Sequence, residues 1–159
     1  MRFLQIEECP LEWRKLDLYL FRDAQVVFYV GQSHLAFVRV WEHIVQGYKA
    51  RSVVGRFILA NWPYSMRFTI EMISSSSSRF VFIGNEINAA ERSLIEQYSP
   101  CFNETMNPRL TPVPAQYQRY NAPLRCSRSI KHLARDAGYI VKAEDKKTGY
   151  LKGVCDEFA

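Results

Sequence analysis

Tyr29-Val30-Gly31-Gln32-Ser33, followed by a helical pattern that carries Arg39 and His43 one turn apart, is the stretch whose reading decides the fold. A β-rich run ending in Gly and a hydroxyl residue that can open a helix predict a strand-to-helix junction with polar groups at the edge of an apolar core.

Upstream, residues 16–21 have the same β-rich character, and Arg22-Asp23-Ala24-Gln25 between the two runs supplies turn residues. Two strands this close form an antiparallel hairpin. A three-residue loop (23–25) sets Tyr19 opposite Tyr29 on one face. A two-residue loop instead pairs Tyr29 with Leu18 and sends the two phenols to opposite faces.

Downstream, Ser33 is the candidate N-cap of a helix running through Val45 and closed by Gly47, with Leu35, Val38, Trp41, Ile44 and Val45 as its inward stripe. Residues 52–62 predict a shorter helix burying Val53, Val54, Phe57 and Ile58 and stopping before Pro63. Residues 66–73 alternate, with Met66, Phe68, Ile70 and Met72 on one side, as a third strand does. The five serines at 74–78 read as a flexible loop and residues 79–84 as a short edge strand. Residues 85–98 are helical, with Ile87, Ala90, Leu94, Ile95 and Tyr98 inward. Glu91 is the misfit on that stripe, four residues from both Ile87 and Ile95, where a carboxylate is costly without a partner.

The fold expected is therefore α/β (α+β): a small, mainly antiparallel three-stranded sheet flanked by helices. It divides into an N-terminal segment (1–15), a central domain (16–106) and a basic, Pro/Tyr-containing C-terminal extension (107–159). In the extension, residues 127–137 suggest a basic helix with Ile130, Leu133 and Ala134 inward and Gly138 as its cap. Residues 139–142 and 148–154 suggest a hairpin.

Composition narrows the function. In 159 residues, 48% are hydrophobic and 14% aromatic, which argues against disorder. No run is long and apolar enough to span a membrane. Glu7 and Glu8 stand where a signal peptide would need an apolar run, so a cytoplasmic setting with free thiols at Cys9, Cys101, Cys126 and Cys155 is expected. Residues 1–106 hold 11 Lys/Arg and 11 Asp/Glu, whereas residues 107–159 hold 10 and 5, so the whole net charge of +5 lies in the last third. A polyanion is the expected partner, DNA with RNA not excluded. Arg119, Arg125, Arg128, Lys131 and Arg135 are the candidate phosphate contacts, with Tyr117 and Tyr120 as stacking aromatics.

Taken together, Leu18-Tyr19, Tyr29-Val30-Gly31, Arg39, His43, Glu91 and Asn103, in this order and on these elements, resemble the GIY-YIG nuclease domain. So does the string Glu91-Arg92-Ser93-Leu94-Ile95-Glu96-Gln97-Tyr98-Ser99-Pro100-Cys101-Phe102-Asn103. The likeness spans about residues 16–106. The chain departs from the family in Asp17 at the first glycine and Val30 for isoleucine.

The resemblance implies hydrolysis of DNA phosphodiester bonds. Glu91 would hold one Mg²⁺ or Mn²⁺, ions that favour carboxylate and water oxygen. Arg39 would grip the scissile phosphate, Tyr19 would activate water, and Tyr29, His43 and Asn103 would support them. Gln32 and Ser33 can add hydrogen bonds to phosphate. Cutting both strands would need a second active site, as a homodimer would supply, or reorientation of the domain. Three bland alternatives stand beside this: Arg39 paired with Glu42, a non-catalytic nucleic-acid-binding module, and a protein-interaction adaptor built on the Pro/Tyr-rich stretch.

Overall fold

A computed structural model describes residues 2–6, 8–48, 51–117 and 130–148. The chain is α+β. Strands β1 (Leu18–Arg22), β2 (Val27–Gln32) and β3 (Thr69–Ile73) form one antiparallel sheet in the order β2-β1-β3. Helices α1 (Ala36–Tyr48) and α2 (Val53–Ala60) join β2 to β3. Helix α3 (Ile87–Tyr98) follows β3, and α4 (Ile130–Thr148) comes last.

Because β1 is the central strand, both of its faces are covered, and its side chains alternate between two cores. Tyr19 and Phe21 face one, with Phe28, Val40, Ile44, Phe57 and Phe68. Leu18 and Leu20 face the other, with Val27, Val30, Phe80, Ala90, Leu94 and Ile95. The sheet is thus sandwiched between α1 and α2 on one side and α3 on the other.

The hairpin register differs from both sequence expectations. Tyr19 pairs with Gly31 and Phe21 with Tyr29, but Arg22 pairs with Val27, so Phe28 is an extra residue in β2. This bulge puts Phe28 and Tyr29 consecutively on the Tyr19 face. The tyrosines share a face as diagonal neighbours, with ring centroids 6.3 Å apart, and are not directly opposite. The Tyr19 ring lies over Gly31, where a Cβ would collide with it.

Other expectations are corrected in the same way. Helix α1 has the predicted length but starts at Ala36, and Ser33 caps no helix: its hydroxyl accepts from Leu35 N at 3.1 Å in a preceding turn. The later start rotates the buried face to Ala36, Phe37, Val40, His43 and Ile44, leaving Leu35 68% and Val38 48% exposed. Gly47 lies inside α1. Val53 is exposed at the start of α2 while Val54, Phe57 and Ile58 are buried. Residues 78–83 form a 3-10 turn with Phe80 inward, not a strand. Gly138 lies inside α4, which takes in residues 139–142 as well. The strand expected at 148–154 begins in that helix at Thr148, and its remainder lies outside the described residues.

Nor is the serine run merely a loop. Ser75 is buried, and its N–H and hydroxyl both donate to the Asp17 carboxylate, at 2.7 and 2.6 Å. Asp17 thereby ties the start of β1 to the end of β3. Tyr117, expected as a stacking aromatic, packs its ring edge-on against Phe28, Phe57 and Phe68 and donates to Asp23 at 2.6 Å. Leu133 and Ala137 of α4 are buried with Phe3 and Leu4, whereas Lys131 and Arg135 are exposed. Cys9 and Cys101 are free thiols. No helix among the described residues is long and apolar enough to cross a membrane.

Two glycines set the spacing of α1 and α2. A Cβ on Gly55 would strike the carbonyl oxygen of His43, and one on Gly47 would strike the backbone of Gly55. Backbone cannot yield as a flexible side chain can. Gly55→Ala is therefore expected to cost about 2 kcal/mol or more, read as a lower urea midpoint. An unchanged midpoint would show that the helices slide apart freely.

Candidate active site

On the α1 side of the sheet, three predicted residues meet. The Tyr19 hydroxyl lies 2.9 Å from Nε2 of His43, and the Tyr29 ring packs edge-on to the same imidazole at 5.3 Å. His43 is only 7% exposed because the rotated face of α1 carries it inward. Its other ring nitrogen, Nδ1, lies 2.8 Å from the Ser52 hydroxyl. Both imidazole nitrogens are thus satisfied by neutral partners, as a buried, uncharged ring requires.

Burial, helped by the nearby Arg39 cation, depresses the His43 pKa to about 4. Burial also pushes the Tyr19 phenol well above its ordinary value, and Tyr29 adds to the rise while Arg39 opposes it. The Tyr29 phenol is likewise raised, by burial and then by Glu91. Near neutral pH the cluster consists of uncharged phenols and an uncharged imidazole.

A stability effect follows. Between pH 6.5 and about 4 the unfolded chain binds a proton that folded His43 refuses, so stability falls as pH drops through that window. The limiting size is on the order of 3 kcal/mol. The measurement is the urea midpoint from pH 7 to 5 for the native chain and for His43→Gln, because the difference removes the contributions of other groups. Parallel curves would refute the assignment.

Arg39 is more exposed. Its guanidinium pairs with Glu42 at 2.7 Å and also reaches toward the Tyr19 hydroxyl. The surface ion pair weighed against a phosphate role is therefore present, although exposed pairs of this kind contribute only about 0.2–1 kcal/mol and exchange readily. Glu91 projects from α3, half-buried, with no hydrogen bond or ion pair among the described residues. Burial alone raises its pKa, and its charge is felt by both Tyr19 and Tyr29.

Asn103 is buried and plays a backbone role. Its amide accepts from Val30 N at 2.8 Å and donates to Val30 O at 2.7 Å, while Cys101 and Phe102 N–H groups donate to Val27 and Phe28 carbonyls. Residues 101–103 therefore cover the open edge of β2 and fix the strand that carries Tyr29 and Gly31. Gln32 ties β2 to α3 through Asn88 at 3.0 Å. Ser33 serves its turn, and its N–H donates to Asp17 O at 2.7 Å.

Lys131 and Arg135 stand in solvent on α4. Arg119, Arg125 and Arg128 lie outside the described residues. Among the described residues no three His, Cys, Asp or Glu side chains gather as a metal cluster. Sequence reasoning passed over Ser52. It marks the start of α2, but no spacing in the chain links it to His43.

Compared with models of protein families, with curated proteins and with solved structures, the chain matches none.

Proposed function

We propose that this chain is a divalent-metal-dependent endonuclease of the GIY-YIG type, hydrolysing DNA phosphodiester bonds. One observation carries the reading: the buried Tyr19–His43 hydrogen bond lies in the electrostatic reach of both an arginine and a half-buried carboxylate without a partner among the described residues. A burial-strained carboxylate with no partner among the described residues suits a hard cation that takes its other oxygens from water and phosphate. Mg²⁺ or Mn²⁺ at Glu91 would neutralise charge on the phosphate and make water easier to deprotonate.

The protein's own groups then act as follows. Arg39 leaves Glu42 and sets its fork on two non-bridging phosphate oxygens, stabilising the charge that gathers there in the transition state. The Tyr19 oxygen takes a proton from the attacking water while its own proton passes to Nε2 of His43. Because burial opposes a phenolate, the two transfers are concerted and Tyr19 stays a neutral conduit. The water oxygen forms the new P–O bond as the ester P–O bond breaks, and the departing oxygen takes a proton from solvent. Tyr29 fills the wall beside the imidazole, and Asn103 holds β2 in place. Gln32 and Ser33, at the end of β2, would add hydrogen bonds to phosphate, while Lys131 and Arg135 would offer sequence-independent phosphate contacts.

The test is nicking of supercoiled plasmid in Mg²⁺, Mn²⁺ or EDTA. Cleavage that requires the metal supports the reading, and cleavage that persists in EDTA opposes it. A second reading, a non-catalytic nucleic-acid-binding module, is favoured by the Arg39–Glu42 pair and the exposed bases of α4. Salt-sensitive binding without turnover in either metal would select it.

A further inference from the structure

The hydrogen bonds of the His43 ring end, on the side away from Tyr19, at a residue with no assigned part in the chemistry. Ser52 is 6% exposed and opens α2, its hydroxyl oxygen accepting from Gly55 N at 3.1 Å while lying 2.8 Å from His43 Nδ1. The close approach of α1 and α2 at Gly47 and Gly55 presses this hydroxyl against the imidazole.

We infer that Ser52 is a positioning residue that selects the tautomer of His43, accepting Nδ1–H so that Nε2 presents its lone pair to Tyr19. The inference rests on the nuclease reading for its consequence in catalysis, whereas the tautomer rests on the two hydrogen bonds of the ring and on the nearby Arg39 cation.

The direction follows from counting donors and acceptors. Arg39 can only donate, and it reaches toward the Tyr19 oxygen. A cation beside that oxygen turns the hydroxyl proton away from itself, toward Nε2 at 2.9 Å. A neutral imidazole accepting at Nε2 must carry its proton on Nδ1. Ser52 receives that proton with its second lone pair, the first being taken by Gly55 N–H. In the opposite tautomer, Nε2–H would aim at the Tyr19 oxygen, and the buried phenol proton would have to turn toward the Arg39 cation or seek another acceptor. The chain of donors is therefore Tyr19 to His43 to Ser52, the order that lets Nε2 take a proton as water is deprotonated.

The experiment uses the full chain with ¹⁵N-labelled histidine. Two-bond ¹H–¹⁵N correlations of the His43 ring, recorded without DNA, report which nitrogen is protonated. The expected result is Nδ1–H in the native chain and in Ser52→Asp, which retains an acceptor and a helix cap. In Ser52→Gly, a substitution that costs a cap only a few tenths of a kcal/mol, the ring should become a tautomer mixture. With metal and plasmid, Ser52→Gly should lower kcat about tenfold and leave KM unchanged, with Ser52→Thr restoring it. Nε2–H in the native chain, or an unaltered tautomer in Ser52→Gly, overturns the role of Ser52. The expected tautomers in a chain that cuts no DNA support that role and overturn the nuclease reading instead.

Discussion

Glu91→Gln is expected to reduce metal-dependent nicking by about a thousandfold or more, while the protein becomes no less stable. The two halves of this result have one cause. Glu91 is half-buried with no hydrogen bond or ion pair among the described residues, and burial alone raises its pKa. A carboxylate so placed costs folding free energy at neutral pH, and the isosteric amide removes that cost while losing the anionic ligand. A glutamate kept for stability would behave in the opposite sense. Urea midpoints and initial nicking rates in Mg²⁺ should therefore move apart, the midpoint holding or rising as the rate collapses. Near-native cleavage by Glu91→Gln would remove the metal site from consideration. A large drop in midpoint would point instead to a structural partner for the carboxylate.

Arg39→Ala carries the second largest effect, an expected loss of about a hundredfold to a thousandfold in cleavage rate, with DNA affinity little changed. Affinity depends on many phosphate contacts, of which this would be one, whereas charge on the scissile phosphate is local. Stability should move by only a few tenths of a kcal/mol, because the pair with Glu42 is exposed and spaced i, i+3. Arg39→Lys keeps the charge without the planar fork and should recover little activity if both phosphate oxygens are held at once. Cleavage by Arg39→Ala within tenfold of native would leave the Glu42 pair as the whole purpose of the residue.

Much of this was legible before any coordinates. The hairpin and third strand, the inward stripe of α3 and the misfit of Glu91 follow from periods of two and 3.6 and from turn residues. These features are local. Asn103, named in a supporting part, fastens the segment after α3 to β2 through both polar groups of Val30.

What failed to be legible has a common physical origin in long-range fit. A residue count across the turn cannot reveal that Phe28 bulges out of β2, because the bulge lets two consecutive aromatics enter one core. The same holds for the two-residue delay of α1: the turn made by Ser33 and its N–H bond to Asp17 hold the chain back, and the rotation carries His43 inward and Val38 out. Asp17, a departure when judged by the resemblance, is the carboxylate that Ser75 needs 58 residues later. By itself, the sequence determined the central strands and helices and that Glu91 is a misfit on its helix, while the resemblance singled out Tyr19, Tyr29, Arg39 and His43. Only the tertiary structure decided that these four converge, that Gly31 makes room for the Tyr19 ring, and that Ser52 completes the chain of hydrogen bonds. Those outcomes depend on how closely separate elements approach, and backbone contacts such as Gly55 against His43 leave no period in the sequence.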